Sequence, residues 1–425
     1  MKLSLHKFSL SGISALQLFQ LMRFGTTFLC AILLVKLGAA PVQIAEYETF
    51  LWLSGMFTFF WVGGSVNAML SIAKNASQKS TFLNAAAWLL LQAIVAAAIV
   101  ILIPSGNSQI KVAAATFIVL NTVSFLNEYL LFSQHKNKQL LMYAIAVSLL
   151  QLAAVVLPFV FSSQIYFSII GLIAVAAIKL LLLLLLLKQA AAFQFSIAEV
   201  KMLAVLSAPL SLGILVSGSA EYVDGFLVKY FFNDAAFALF RYGSRELPLS
   251  LILANTLSTL LIVTVAQNKE TGLAELKRKS LQLAHLLFPA SIVLMLFTKP
   301  LLSLLYSNTY TEASGIFRIM LLLVIPRLLF PQTVITALKL NRYILLSATI
   351  ELLLNIACSL LLLQFLGIEG IVYGTLIAYT FDKLFLAIVL KKKASISIYQ
   401  YVALKPFLLY SILLVIAFIA AEIFL

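Results

Sequence analysis

Charge is what this chain lacks most. Only 10% of its 425 residues are Asp, Glu, Lys or Arg, while 63% are apolar or aromatic and the mean hydropathy is +1.09. A soluble domain carries roughly a quarter charged residues, so an ordinary water-facing exterior is excluded. Cysteine is nearly absent. Cys30 and Cys358 both fall in apolar runs, and two isolated thiols make no disulfide framework. The histidines, His6, His135 and His285, are scattered and give no zinc set, so neither metal nor cofactor is expected. Long polar stretches are missing too, and no connector between apolar runs could hold a globular domain.

What is present is a series of apolar runs about as long as a bilayer is thick, roughly 20 residues each. Thirteen are readable: 14–36, 45–73, 82–103, 111–132, 140–161, 165–188, 201–232, 235–266, 281–305, 314–338, 343–366, 370–390 and 404–425. Within hydrocarbon a backbone must bond to itself, so these runs predict an all-α, polytopic membrane protein. The first run is long, contains Arg23 and has no small-residue cleavage site, so it reads as a retained span. The leucine run at 180–187 reads as plain lipid-facing surface.

The formal net charge of +14 would suggest nucleic acid in a soluble chain. Here the bases fall at alternate connectors. Lys2 and Lys7 precede the first span, Lys74 and Lys79 follow the second, and Lys136 and Lys138 follow the fourth. Lys188 and Lys201 flank the sixth connector, Lys269, Lys277, Arg278 and Lys279 the eighth, Lys339 and Arg342 the tenth, and Lys391, Lys392 and Lys393 follow the twelfth. The intervening connectors hold Glu46, Glu48, Lys111, Asp234, Glu312 and Glu369. This is the positive-inside pattern. It places the amino terminus in the cytoplasm and, after thirteen spans, the carboxyl terminus outside. No nucleic-acid partner is expected.

The chemistry is carried by charges inside the spans, where each costs about 2.5–3.5 kcal/mol even on lenient insertion scales. They are Arg23, Glu128, Lys179, Glu221, Asp224, Arg241, Arg245, Glu246, Arg327 and Glu351, with Arg318 near a span end. Counting about 1.5 Å per residue from a turn near Asn233, Glu221 matches Arg245 in depth and Asp224 matches Arg241. Their spacings put Glu221 with Asp224, and Arg241 with Arg245, on shared helix faces. Arg327 and Glu351 lie at similar depths on neighbouring spans, as do Glu128 and Lys179 in the amino-terminal half. Packing salt bridges are the bland reading of each pair. Arg23 differs, because neither of the first two spans offers an acid at its depth. It is expected to be unpaired and to face a hydrated cavity or an anionic ligand.

Leu21–Met22–Arg23–Phe24–Gly25, running on to Leu37–Gly38–Ala39, resembles the opening helix of the MATE-like (multidrug, oligosaccharidyl-lipid, polysaccharide; MOP) flippase superfamily. Tyr222–Val223–Asp224–Gly225–Phe226, followed by Phe237–Ala238–Leu239–Phe240–Arg241–Tyr242–Gly243–Ser244–Arg245–Glu246–Leu247–Pro248–Leu249, is similar to the seventh-to-eighth-helix signature of its polysaccharide and lipid II flippase branches. Leu366–Gly367–Ile368–Glu369–Gly370 with Gly374 resembles the small-residue entry to the twelfth helix, where backbones approach closely. Two features depart from the lipid II branch: Thr26–Thr27 stand where a second basic residue is common, and one extra helix follows the twelfth instead of two.

The resemblance implies two six-helix bundles around a central cavity, residues 1–195 and 196–395, with an additional helix in 396–425. It implies a transporter of a bacterial cytoplasmic membrane, not an enzyme, that moves a polyprenyl-pyrophosphate-linked oligosaccharide of the O-antigen type by alternating access. Arg23 and Arg245 match the positions that hold the pyrophosphate, and Arg241 and Arg327 join them as substrate-binding candidates. Glu221, Asp224, Glu246, Glu128, Lys179 and Glu351 are candidates for cavity charge pairs or for coupling to H+ or Na+. The implied partners are the lipid-linked sugar and membrane lipids. Two rival readings stand beside this one. A multidrug/cation antiporter of the same superfamily would use Glu128, although cavity arginines repel cationic drugs. A membrane polymerase or glycosyltransferase would need an outer loop larger than any here.

Overall fold

A computed structural model describes residues 12–72, 78–104, 106–134, 136–188, 195–245 and 248–424. Among these residues the regular structure is helical and no strand occurs, as hydrocarbon requires of the backbone. Internal contacts divide the chain into two compact units, Met1–Leu215 and Val216–Leu425. Lys2, Lys7, Lys74 and Glu246 lie outside the described residues, as does the side chain of Glu221.

The first unit contains α1 (Gly12–Lys36), α2 (Pro41–Met56), α3 (Phe59–Ile72), α4 (Gln78–Leu102), α5 (Ser108–Ser124), α6 (Leu126–Ser133), α7 (Asn137–Ser162), α8 (Ile165–Lys188) and most of α9 (Ile197–Gly218). α2 with α3, and α5 with α6, form single spans, so six expected spans are realised before α9. Glu48, read as a connector residue, is instead fully buried within α2, because that helix begins already at Pro41. α9 is tied to this unit by side chains. Glu199 accepts from Thr81 Oγ1 at 3.3 Å and from Asn84 Nδ2, and Trp88 Nε1 donates to Ser207 Oγ at 3.1 Å. A Cβ on Gly64 would strike Ser211, so α3 and α9 touch through their backbones. The division between units therefore falls inside α9 and not at residue 195.

The second unit contains α10 (Ala220–Phe231), α11 (Asp234–Gly243), α12 (Pro248–Gln267), α13 (Lys269–Leu296), α14 (Thr298–Leu305), α15 (Ser314–Leu321), α16 (Val324–Arg327), α17 (Pro331–Ala337), α18 (Arg342–Leu366), α19 (Ile368–Ala394), α20 (Ile398–Tyr401) and α21 (Leu404–Phe424). Twelve helical stretches among the described residues are long and apolar enough to cross a membrane. The expected eighth span, 235–266, is broken between Gly243 and Pro248. Proline lacks the N–H that would continue a helix and disfavours helical backbone just before it. The tenth, 314–338, is divided into α15, α16 and α17, with Phe330 at φ +51° immediately before Pro331. Because α11 ends at Gly243, Arg245 lies past its end. The shared helix face expected for Arg241 and Arg245 is not formed.

α18 and α19 make the closest helix pair of this unit. A Cβ on Gly370 would fall on the Leu362 carbonyl group, and one on Gly374 on Ser359 Oγ and its backbone nitrogen. The glycines thus let two backbones meet, as the small-residue entry anticipated. Gly374→Ala is expected to cost about 1–3 kcal/mol, the usual range for overpacking. A melting temperature in detergent equal to that of the native protein would contradict the contact.

The last helix has a clear anchorage. Phe407 and Tyr410 of α21 pack on Phe288 of α13 with ring centroids 5.9 and 5.4 Å away, and Tyr410 OH lies 2.7 Å from His285 Nδ1. Near the other end of α21, Glu422 accepts from Arg318 Nη1 at 3.2 Å. Tyr401, read as an interfacial anchor with Tyr399, is fully buried, whereas Tyr399 is exposed. Only Tyr399 suits an aromatic belt.

Candidate functional site

In the first unit the charged residues converge. Arg23 Nη1 of α1 donates to Glu128 Oε1 of α6 at 3.0 Å, with 42% of the Arg23 side chain exposed and 4% of Glu128. The expectation of an unpaired Arg23 is corrected here. Its acid comes not from the first two spans but from the fourth, 105 positions along the chain. Lys179 of α8 does not take the glutamate. Its Nζ donates to Asn121 Oδ1 at 2.8 Å and sits 5.4 Å from the centre of the Phe125 ring. Arg23 Cζ lies 5.0 Å from the same ring, so one aromatic carries both cations. Asn127 fixes the junction of α5 and α6 by donating to Ser124 O at 3.1 Å and Lys179 O at 2.7 Å.

In the second unit Asp224 of α10 is buried in an oxygen-rich set. Its Oδ1 accepts from Asn355 Nδ2 at 3.1 Å and its Oδ2 from Thr375 Oγ1 at 2.5 Å. The Ile371 carbonyl accepts from Ser359 Oγ at 3.1 Å and from Thr375 Oγ1 at 3.3 Å. Asn355 is fully buried, and its Oδ1 accepts no hydrogen bond among the described residues. Carboxylate, hydroxyl and carbonyl oxygens are hard donors, the kind that suit a sodium-like or alkaline-earth cation and not a soft metal, while Asn355 meets the carboxylate through its Nδ2. Among the described residues no group of His, Cys, Asp and Glu forms a transition-metal set.

The arginines of this unit rest on aromatic rings. Arg245 Cζ lies 5.0 Å from the centre of Tyr242, whose ring stacks on Tyr306 at 4.6 Å and meets Tyr310 at 4.9 Å. All three tyrosines are buried, so they form a firm base for the guanidinium. Arg241 is half-buried on α11. Arg327 borders a cavity of about 120 Å³ with Ser250, Ser291 and Phe317. Its Nη1 donates to Ser250 Oγ at 3.4 Å, and its Cζ is 6.0 Å from the Tyr379 ring. The expected Arg327–Glu351 ion pair is absent among the described residues. α18 lies against α19, and Glu351 is in the field of Asp382 and Lys383 instead. Those two are buried and paired at 2.7 Å, with Lys383 Nζ 4.4 Å from the Tyr379 ring and 3.3 Å from Gln332 Oε1.

A profile of the polysaccharide biosynthesis protein family matches residues 72–315, more than half of the chain. The chain belongs to that family. The family region carries Glu128, Lys179, Asp224, Arg241 and Arg245, while Arg23, Arg327 and the α18–α19 oxygens lie outside it. Solved structures share the fold. The lipid II flippase MurJ in an inward closed conformation has a TM-score of 0.73 at 16% identity, over 96% of this chain and 93% of that one. An inward-facing multidrug resistance MATE family transporter of the MOP superfamily has 0.65 at 13%, over 87% and 94%. A MOP superfamily transporter from Pyrococcus furiosus has 0.59 at 12%, over 90% and 94%. These neighbours are transporters or flippases, none an enzyme, and the fold is the one the sequence resemblance implied. A comparison with curated protein sequences finds no match.

For this member of the polysaccharide biosynthesis family, sequence reading passed over four residues that the structure makes prominent. Asp382 and Lys383 sit within an expected span but neutralise one another at adjacent positions. Asn355 and Thr375 carry no charge. A signal for Asn355 was present, since an amide between Leu352–Leu353–Leu354 and Ile356 is costly in hydrocarbon unless it has partners.

Proposed function

We propose that this protein flips a polyprenyl-pyrophosphate-linked oligosaccharide from the cytoplasmic to the outer leaflet of a bacterial inner membrane by alternating access. The observation that carries the proposal is Arg23. Its guanidinium lies inside an apolar span, spends one N–H on Glu128, and keeps two-fifths of its side chain accessible. Guanidinium suits diphosphate because it donates in two directions and stays charged. Arg245 on its tyrosine base is the second contact, with Arg241 and Arg327 in support. A cation held by Asp224, Thr375 and the Ile371 carbonyl is the coupling ion, with Asn355 positioning the carboxylate, and a sodium ion suits those oxygens. The family match supports a role in polysaccharide synthesis, and the lipid tail of such a substrate stays in the bilayer while the headgroup crosses.

The direct test is depletion of the protein followed by leaflet-resolved assay of lipid-linked oligosaccharide. Accumulation on the cytoplasmic leaflet is expected, and an unchanged distribution would overturn the proposal. The orientation that transport requires, amino terminus inside, has its own check. Lys269, Lys277, Arg278 and Lys279, read as a connector, lie instead in the first half of α13, where the Arg278 side chain is 67% exposed. A cysteine substituted there is expected to react with membrane-impermeant maleimide only in inverted vesicles. Labelling from the outside of intact cells would reverse the topology.

A further inference from the structure

Glu128 is bound to Arg23 in an incomplete way. A guanidinium and a carboxylate can meet through two parallel bonds, yet only Oε1 is engaged, at 3.0 Å. Oε2 is buried and accepts no hydrogen bond among the described residues. A second cation stands by: Lys179 acts electrostatically on Glu128 and shares the Phe125 ring with Arg23. Among the described residues Lys179 is meanwhile held by the neutral Asn121 and by that ring. The carboxylate is thus attached to the exposed cation by a single bond, and the buried cation shares the Phe125 ring with that partner.

We infer that Glu128 is the resident anion of Arg23: it occupies the guanidinium until a diphosphate arrives, and then turns to Lys179. This rests on the reading of Arg23 as a diphosphate contact. The physical need is plain. A guanidinium within a bilayer meets phosphodiester headgroups at far higher concentration than any lipid-linked sugar. A resident carboxylate of charge −1 sets a threshold that a monoanionic phosphodiester does not exceed. A diphosphate, with more negative charge and more acceptor oxygens, displaces it. Lys179 lowers the cost of displacement, because the released carboxylate is not left buried without a cation. Glu128 is therefore a specificity-determining residue that acts through Arg23.

The test is calorimetric titration of the detergent-purified full chain with two probes, inorganic pyrophosphate and dimethyl phosphate. The native protein is expected to bind pyrophosphate and not dimethyl phosphate. Glu128→Gln is expected to bind pyrophosphate about tenfold more tightly and to gain affinity for dimethyl phosphate, an effect on the scale of a close-pair coupling energy. Glu128→Asp, which keeps the charge, is expected to discriminate as the native protein does. Lys179→Gln is expected to weaken pyrophosphate binding in the native background and to change nothing once Glu128 is Gln. A merely structural Glu128 would yield weaker binding on substitution, not tighter. Glu128→Ala reads the same sign if the glutamine variant does not fold. If Arg23→Gln loses pyrophosphate binding but Glu128→Gln gains none, the resident-anion inference is wrong and the Arg23 contact stands. If Arg23→Gln binds as the native protein does, the contact itself is wrong.

Discussion

Arg23→Ala and Arg245→Ala are each expected to lower glycan export by one to two orders of magnitude, about the effect of losing a charged hydrogen bond worth roughly 1.5–3 kcal/mol. The two substitutions differ in what else they disturb. Removing Arg23 leaves the buried Glu128 without its bonded cation, and a buried group left unsatisfied costs about 1–3 kcal/mol of stability. The clean comparison is therefore Arg23→Ala combined with Glu128→Gln, measured against Glu128→Gln alone, so that only the Arg23 charge differs. The flat guanidinium of Arg245 lies over Tyr242. Arg245→Lys keeps the charge and loses the stacking, so partial export is expected. The measurement is flipping of a lipid-linked oligosaccharide in proteoliposomes, normalised to folded protein. Normal export by both alanine variants would end the pyrophosphate reading.

Asp224→Ala is expected to abolish any response to sodium. A bound ion stabilises the folded state by an amount that grows with the logarithm of its concentration over the dissociation constant, about 2.7 kcal/mol at a hundred times that constant. The melting temperature of the native protein should thus rise as NaCl replaces choline chloride at constant ionic strength, and that of Asp224→Ala should stay flat. The variant should also melt lower in either salt. Asn355 Nδ2 loses one of its two acceptors and Thr375 Oγ1 loses its shorter bond, and buried groups left unsatisfied cost about 1–3 kcal/mol. A sodium-dependent shift of native size in the variant would remove Asp224 from the ion site.

The apolar runs announced the spans because hydrocarbon imposes one rule on every segment, and length alone reads it out. Interruptions within spans were harder to read. Hydropathy averages over a window, so the end of α11 at Gly243 and the break around Phe330 vanish into apolar neighbours, although Pro248 and Pro331 lie close to both. Partners were least legible. Depth counting compares helices known to be adjacent, and it was applied to α1 with its sequence neighbours. The true partner of Arg23 stands on α6, whose adjacency is a tertiary fact. Asp224 was noticed for its charge, but the amide and hydroxyl that hold it are silent in any search for charges. Gly370 and Gly374 were legible for the opposite reason, since a missing side chain where two helices must touch has a purely steric meaning.

The bond from Arg318 to Glu422 has a consequence for biogenesis. Arg318 is almost entirely buried, and its acid is supplied 104 residues later, from the final described helix. At ordinary synthesis rates of about 5–20 residues per second, Arg318 leaves the ribosome roughly 5–20 s before Glu422 does. For that interval the Arg318 guanidinium lacks its bonded carboxylate, and a cation in hydrocarbon is costly until it has one. Release into the lipid becomes favourable only once α21 has been threaded. A chain cut short before α21 leaves Arg318 without its bonded carboxylate and with Glu369 of α19 as the acid in its field, a mark by which membrane proteases can tell an unfinished molecule from a finished one.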